Sequence, residues 1–355
     1  MAAGDGDPQE SLVGLLSALV RPRIGLALGG GAARGFAHLG VLRALESARC
    51  RPAAIAGTSI GAIIGGAYAA EGHSEPVRRR LVEYISSRRF RDVQLAFLSR
   101  RPPEKANFRD RVSRAVRRSL FFGRAYLRES YIPQEIYRDH LVGLVPDVAI
   151  EDLALPFAAV ASDLVSGRAV AFRSGSLRRA VLASGAIPGV MPPMPLGEMI
   201  LVDGVATDRV PVRVLLGMRV DVILAVDVAT DFLDYVPPLR RGVAIHDRAH
   251  QVTEWNLRRI RMGVADVELH PAVSEFNPLD FPAALPAVAR GEECVEQAAH
   301  AIRRALVRAG LLRWIGAARA QRARRLAARG WFGEPPVVPG PGTSAEVPAQ
   351  EPAEA

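Results

Sequence analysis

The sequence has few cysteines and no positively charged N-terminus. Its two cysteines, Cys50 and Cys294, are too few for a disulfide framework, and neither has Cys or His neighbours at the spacing of metal ligands. Asp5, Asp7 and Glu10 precede a short apolar run, which reverses the charge order of a secretory signal peptide. We therefore expect a cytoplasmic protein with no disulfide bond and no resident metal.

One stretch, residues 52–70, has the length of a membrane span and carries no charge. Its four glycines and the polar Thr58 and Ser59 keep its hydrophobicity modest. We predict a strand, a sharp turn and a buried helix there instead. With 355 residues and 49% hydrophobic composition, the chain is long enough to bury a large core.

The turn in this stretch is Gly57-Thr58-Ser59-Ile60-Gly61, which matches the pattern G-x-S-x-G. An apolar strand precedes it, and a helix rich in small residues follows it. A nucleophile elbow strains the backbone, so its flanking glycines leave room for the turn and keep the serine hydroxyl clear. Ser59 is therefore the candidate nucleophile, with Gly57 and Gly61 as the motif glycines.

A glycine-rich loop, residues 29–35, lies between a predicted strand at 23–28 and a predicted helix at 36–48. Successive backbone N–H groups at such a helix start bind a phosphate or an oxyanion. Arg34 stands where a dinucleotide-binding loop has its third glycine, and no acidic residue ends the next strand to hold a ribose. The loop also lacks the Gly-Lys-Ser/Thr of a P-loop. These mismatches favour an oxyanion hole formed by N–H groups near Gly31 and Ala32.

Both motifs resemble those of the patatin-like phospholipases, and specifically of their bacterial branch. The resemblance rests on Gly29-Gly30-Gly31-Ala32-Ala33-Arg34-Gly35, His38-Leu39-Gly40-Val41, the elbow, and residues 161–164, 183–190 and 202–204. It extends from about residue 23 to residue 228. It implies a three-layer α/β/α fold with a mostly parallel central sheet, and a Ser-Asp dyad without a catalytic histidine.

The resemblance implies a role for each matched residue. Ser59 is the nucleophile and Asp203 its general base, with Gly204 completing the motif of the base. The oxyanion loop is implied to contain Gly30, Gly31, Ala32 and Arg34. Independently, Asp203 ends an apolar strand at 199–202, which brings it to a sheet edge where the elbow serine also lies. Two alternatives remain: Asp203 as an ordinary Asp-Gly turn residue, and Asp227 as the base.

Two positions depart from the family pattern. Val205 follows Asp203-Gly204 where a smaller residue is usual, and we expect it to narrow the surroundings of the dyad. Asp208 lies in residues 207–211, which replace the usual asparagine-containing stretch. If Asp208 lies near Asp203, like-charge repulsion raises the pKa of one of the two carboxyl groups.

The segment 78–131 is strongly basic: residues 78–128 contain sixteen Arg or Lys, and residues 78–129 contain five Asp or Glu. Phe108, Val112, Val116 and Leu120 recur every four residues with arginines around them. An apolar stripe flanked by cations is typical of a helix on an anionic membrane surface, and also of a lid helix packed on the core. We expect a helical insertion or lid that makes peripheral contact with the inner membrane surface.

Strands and helices alternate again after this insertion, so the predicted catalytic domain spans residues 23–270, after an N-terminal segment at 1–22. Residues 271–333 are predicted to be helical and basic, but only Trp314 is aromatic in the helix at 298–329, so we expect no nucleic-acid site. Residues 334–355 are rich in Pro, Ala and Glu and are predicted to be disordered.

These observations predict a serine acyl hydrolase that cleaves lipid esters without a cofactor, as a phospholipase A or lysophospholipase does. One alternative is a Ser-His-Asp esterase in which His270 or His300 supplies the base. Another is a membrane-binding regulatory protein without turnover, suggested by the basic insertion and by Val205 and Asp208. His246 and His250 have helical i, i+4 spacing but no third ligand, so no metal site is expected there.

Overall fold

The computed structural model describes residues 22–88, 143–229 and 242–314, the pair 337–338, and the isolated residues 90, 130, 136, 138, 139, 239 and 240. The N-terminal segment to residue 21, most of the basic insertion and most of the C-terminal tail lie outside the described residues. The expectations for these three segments therefore stay predictions.

Two strand–turn–helix units open the fold, as the two glycine motifs predict. Strand β1 (Ile24–Leu28) leads through a 3-10 helix (Ala32–Phe36) into α1 (Ala37–Ser47). Strand β2 (Ala54–Thr58) turns into α2 (Ile60–Glu71), and α3 (Ser74–Ser86) follows. Within the described residues, no helix is both long enough and apolar enough to cross a membrane.

A hairpin and further strands and helices complete the described chain. These elements are β3 (Phe157–Asp163), β4 (Ala169–Phe172), α4 (Leu177–Ser184), β5 (Met194–Leu196), β6 (Met199–Asp203), α5 (Val205–Asp208), α6 (Val212–Leu215), β7 (Val222–Val226), α7 (Gly242–Met262), β8 (Val267–Leu269), α8 (Ala287–Gln297), α9 (Ala299–Trp314) and β9 (Val337–Val338). The hairpin of β3 and β4 turns at Ser166-Gly167, where Gly167 has a φ of +69°.

The strands form one sheet in the order β5-β6-β3-β2-β1-β7-β8, with β4 beside β3 and β9 beside β4. A parallel ladder joins β3, β2, β1, β7 and β8. β4 and β6 run antiparallel to β3. The glycine loop after β1 and the elbow after β2 therefore meet at the carboxyl edge of the parallel strands, where α/β proteins bind ligands.

Helices cover both faces of this sheet. Alternate residues of β1 enter two different cores, with Leu26 and Leu28 in the larger one beside α1 and α2, and Ala27 in the smaller one beside α6. A mostly parallel sheet needs this double cover because both of its faces carry apolar side chains. The mostly parallel sheet and the three-layer arrangement predicted from the sequence are confirmed.

Helix α8, from the region 271–333, packs closely on α1. A Cβ placed on Gly40 of α1 would lie 1.8 Å from the carbonyl oxygen of Val288 in α8, and one on Gly291 would lie 2.0 Å from that of Ala37. The two helices therefore cross with their backbones in contact, which only glycine permits.

A short strand, β9, occurs within the tail that was predicted to be disordered. Its residues Val337 and Val338 pair in parallel with Ala171 and Phe172 of β4. β-branched residues favour a strand locally, although the composition of the tail as a whole indicates disorder. At these two residues the structure differs from the expectation.

Candidate active site

Ser59 lies on a strained turn between β2 and α2. Its φ is +56° and its ψ is −123°, a conformation that costs free energy for any residue with a side chain. The flanking glycines are required by close backbone approach, because a Cβ on Gly57 would lie 2.4 Å from the carbonyl oxygen of Gly61. A Cβ on Gly61 would lie 2.2 Å from that of Leu28. The turn therefore has the features of a nucleophile elbow.

Ser184 holds this strained turn in place. The backbone N–H of Ser59 donates to Ser184 Oγ at 2.9 Å, and Ser184 Oγ donates to the carbonyl oxygen of Val160 at 2.6 Å. Ser184 is fully buried at the end of α4. Ser184 lies in the matched stretch 183–190, but nothing local in the sequence predicts this role. The one hint in the sequence is a serine at the end of a short, largely apolar helix, because a buried hydroxyl there needs a hydrogen-bond partner.

Asp203 ends strand β6, which runs antiparallel to the neighbouring strand β3. β2 pairs with β3 only as far as Val160, and β6 pairs with the part of β3 that extends beyond it. Asp203 lies opposite Ala161, one residue past that limit. β6 therefore continues along β3 from the point where β2 ends, and its last residue, Asp203, lies beside Ser59.

The side chains of Ser59 and Asp203 are in direct contact. Ser59 Oγ donates a hydrogen bond to Asp203 Oδ2 at 2.6 Å. The other carboxylate oxygen, Oδ1, accepts the backbone N–H of Val205 at 2.9 Å. This second bond fixes the orientation of the carboxylate, so that one oxygen faces the serine hydroxyl.

Burial raises the pKa of Asp203 from 3.8 to about 6, although the hydrogen bonds from Ser59 and Val205 and the charge of Arg209 act to lower it. The side chain is nearly inaccessible to solvent. At neutral pH the carboxyl group is therefore ionised. It binds a proton more tightly than an exposed aspartate does, which suits a general base.

The oxyanion loop differs from the expectation at Gly30. The N–H of Gly30 donates to the carbonyl oxygen of Arg209 at 3.0 Å and is not available to a substrate. The N–H of Ala33 is likewise used, by the carbonyl oxygen of Pro278 at 3.1 Å. The predicted donors are therefore reduced to Gly31 and Ala32, and Ala32 has a φ of +50°.

Arg34 faces a neighbouring loop. Its Nε donates to the carbonyl oxygen of Phe276 at 2.8 Å, and its Nη2 to that of Ser274 at 3.4 Å. The implied place of Arg34 in the oxyanion loop stays a prediction. Arg34 anchors the loop at 274–276 against the glycine loop.

Val205 narrows the site as predicted from its bulk. A Cβ placed on Gly30 would lie 2.4 Å from Val205 Cγ2 and 3.3 Å from the Cβ of Ser59. Gly30 is thus pressed between the elbow and the residue that follows Asp203-Gly204. Gly204 is equally confined, because a Cβ there would lie 2.3 Å from the carbonyl oxygen of Val160.

Asp208 supports the elbow through its backbone. The repulsion from Asp203 that was considered for it is not among the causes of its raised pKa. Its backbone carbonyl accepts Thr58 Oγ1 at 2.8 Å, and its carboxylate lies 3.8 Å from Arg261 Nη1. Burial raises its pKa to about 7, and the charges of Arg261 and Arg213 oppose this. Burial, and not the charge of the other aspartate, is the main cause of the raised pKa at both Asp203 and Asp208.

The alternative bases do not contact Ser59. His270 lies 3.8 Å from Asp227 and 3.4 Å from Glu268, and His300 is exposed on α9. Asp227 accepts the N–H of Ala229 at 3.0 Å and pairs with Arg258 at 3.2 Å, so it caps the end of β7.

His246 and His250 are adjacent on α7, with their Nε2 atoms 3.2 Å apart. Across the described ranges, no cluster of three or more His, Cys, Asp or Glu side chains has the geometry to hold a metal ion. The pair therefore lacks the further protein ligands of a closed metal site.

The chain is similar in sequence to several known proteins. An uncharacterized NTE family protein of Mycobacterium tuberculosis is 34% identical over 205 residues, which are 58% of this chain and 49% of the relative. The lysophospholipase NTE1 of Yarrowia lipolytica is 29% identical over 233 residues, which are 66% of this chain and 14% of the relative. This chain thus spans about half the length of the mycobacterial relative and less of the fungal one.

Among solved structures, VipD from Legionella pneumophila aligns with a TM-score of 0.38 and 12% identity, over 78% of this chain and 66% of that chain. A likeness of this size supports no conclusion by itself. The family model of the patatin-like phospholipases matches residues 26–216, more than half of the 355 residues, and includes both glycine motifs, Ser59 and Asp203. The chain therefore belongs to the patatin-like phospholipase family.

Proposed function

We propose that this protein hydrolyses ester bonds of lipids through a Ser59–Asp203 dyad. The observation that carries the proposal is the 2.6 Å hydrogen bond from Ser59 Oγ to Asp203 Oδ2 at a strained elbow. A serine hydroxyl is a weak nucleophile unless an adjacent base accepts its proton. Asp203 has both the position and the raised pKa for this task.

In the proposed reaction, Asp203 takes the proton of Ser59 as Oγ attacks the ester carbonyl carbon. The carbonyl oxygen becomes an oxyanion, which the N–H groups of Gly31 and Ala32 stabilise. Collapse breaks the ester bond, and the proton on Asp203 passes to the departing alcohol. Water then attacks the acyl-serine, giving its proton to Asp203, and the second tetrahedral intermediate releases the fatty acid as Ser59 regains a proton.

The substrate class is proposed to be phospholipids or lysophospholipids. Support comes from membership of the patatin-like phospholipase family and from similarity to a fungal protein named as a lysophospholipase. Peripheral contact with an anionic membrane remains part of the proposal, because it depends on the basic residues of 78–131. Most of that segment lies outside the described residues.

The test is fatty acid release by the purified protein from lysophosphatidylcholine and from vesicles of phosphatidylcholine with phosphatidylglycerol. Ser59→Ala and Asp203→Asn are expected to reduce release by at least about 1000-fold, because they remove the nucleophile and the base. Thermal unfolding of each variant checks that the fold is intact. Release that persists in a folded Ser59→Ala variant would overturn the proposal.

A further inference from the structure

Arg209 holds the backbone of Gly30 at both ends of the residue. Its carbonyl oxygen accepts the N–H of Gly30 at 3.0 Å, and its Nη1 donates to the carbonyl oxygen of Gly30 at 3.0 Å. Its Nη2 forms an ion pair with Glu254 on α7. The Arg209 side chain is only 17% exposed, so these bonds lie in a largely water-excluded place.

The bond to the Gly30 carbonyl also determines where the N–H of Gly31 points. These two groups belong to one planar trans peptide, in which the C=O and the N–H point in opposite directions. A peptide between two glycines rotates with little steric hindrance, because neither residue has a Cβ. Rotation of this peptide would break the bond from Arg209. Arg209 therefore selects one orientation of a peptide that the glycines alone leave free.

We propose that Arg209 is a positioning residue for ester hydrolysis, whose guanidinium group fixes the Gly30–Gly31 peptide so that the Gly31 N–H faces the oxyanion. The proposal rests on the proposed function. A charged donor on the Gly30 carbonyl also polarises the peptide, which makes the N–H of Gly31 a stronger donor. Glu254 in turn holds the guanidinium group, which links the oxyanion loop to α7.

The charge of Arg209 has a second, separable effect, because it lowers the pKa of Asp203 against the effect of burial. Other charged groups packed around this end of the site are Arg34, whose pKa is lowered by burial and by the charge of Arg209, and Arg213, whose charge acts on Asp208. Asp208 faces Arg261 at 3.8 Å, and Asp227 faces Arg258 at 3.2 Å. Removing the charge of Arg209 therefore raises the pKa of Asp203, and moves the acid limb of the pH profile upward.

Three variants separate these effects. Arg209→Met removes the donor and the charge, and Arg209→Lys keeps the charge with a single donor group. Arg258→Met is the matched control, since it removes another buried ion pair of α7 without touching Gly30. We would measure kcat and KM with p-nitrophenyl butyrate across pH, thermal unfolding, and the Ki of a trifluoromethyl ketone, whose serine adduct carries an oxyanion.

Arg209→Met is expected to lower kcat by about 100-fold, the loss typical of one oxyanion donor, and to raise the Ki in parallel while KM stays nearly constant. Its acid limb moves to higher pH. Arg209→Lys is expected to lose less kcat and to keep the wild-type acid limb. Arg258→Met is expected to lower thermal stability but to keep kcat and Ki.

The proposal is overturned if Arg209→Met keeps the kcat of Arg258→Met, or if its kcat falls while Ki does not change. Failure of the proposed function gives a different result: the wild type does not hydrolyse the ester, or Ser59→Ala hydrolyses it equally well. The Ser59→Ala control, run beside the arginine variants, distinguishes the two failures.

Discussion

Replacing Asp203 by asparagine is expected to abolish hydrolysis and to stabilise the folded protein at neutral pH. Burial raises the pKa of Asp203 to about 6, so the folded state holds this proton more tightly than the unfolded chain does. An ionised carboxylate in this place therefore opposes folding. Asparagine has the same shape, can accept the N–H of Val205 and donate to Ser59 Oγ, and carries no charge to desolvate.

The magnitude follows from the change in pKa. A rise from 3.8 to about 6 is about 2 pH units, and at about 1.4 kcal/mol per unit it gives at most about 3 kcal/mol. Below about pH 4 Asp203 is protonated in both states, and the wild type has its full stability. As the pH rises from about 4 to about 6, the unfolded chain ionises while the folded state keeps its proton, so the wild type loses this stability and the asparagine variant does not. The difference in unfolding free energy therefore grows from about 0.5 kcal/mol at pH 4 to about 3 kcal/mol at pH 7.

Urea unfolding followed by circular dichroism at pH 4 and pH 7 measures this difference directly. Asp163→Asn is a control of opposite sign, because this buried carboxylate accepts hydrogen bonds from the N–H groups of Val165, Ser166 and Ile200 and from Ser166 Oγ. Burial acts to raise the pKa of Asp163, but these bonds outweigh it and lower the pKa. An Asp203→Asn variant that is no more stable than the wild type at pH 7 would refute the reasoning.

Three further predictions concern the same site. Asp203 sets the acid limb of kcat/KM near pH 6, below which activity falls about tenfold per pH unit, as a pH profile would measure. Ser184→Ala leaves the N–H of Ser59 without its acceptor and lowers kcat by about tenfold or more with folding retained; unchanged kcat would mean that the elbow needs no such support. Gly30→Ala places a Cβ 2.4 Å from Val205 Cγ2 and abolishes activity, whereas the double variant with Val205→Ala recovers part of it, which a double-mutant cycle detects as coupling.

The parts of the fold that local sequence determines were predictable. Glycine spacing identified both turns, because a strained elbow and a loop that presents its N–H groups to an anion need positions without side chains. Apolar runs identified β1, β2 and β6 as strands. The partnership of Ser59 with Asp203 was proposed from motifs, and the two side chains lie 2.6 Å apart, although their roles remain a prediction.

The missed parts depend on tertiary contacts. The direction of β6 follows from β3 extending beyond β2, a register that no local pattern encodes. The use of the Gly30 N–H by Arg209 joins residues 179 positions apart, and the bond from Ser59 to Ser184 spans 125. Arginine in a loop suggests a solvated side chain, so its burial against the glycine loop was not foreseeable from the sequence.

The most direct test of the account is the rate of covalent labelling by a fluorophosphonate, with the modified residue located by mass spectrometry. The wild type is expected to be labelled at Ser59, and Ser59→Ala and Asp203→Ala are expected to resist labelling while folded. His270→Ala and His300→Ala are expected to be labelled at the wild-type rate. Loss of labelling in either histidine variant, or a folded wild type that stays unlabelled even with anionic liposomes present, would contradict the Ser59–Asp203 dyad.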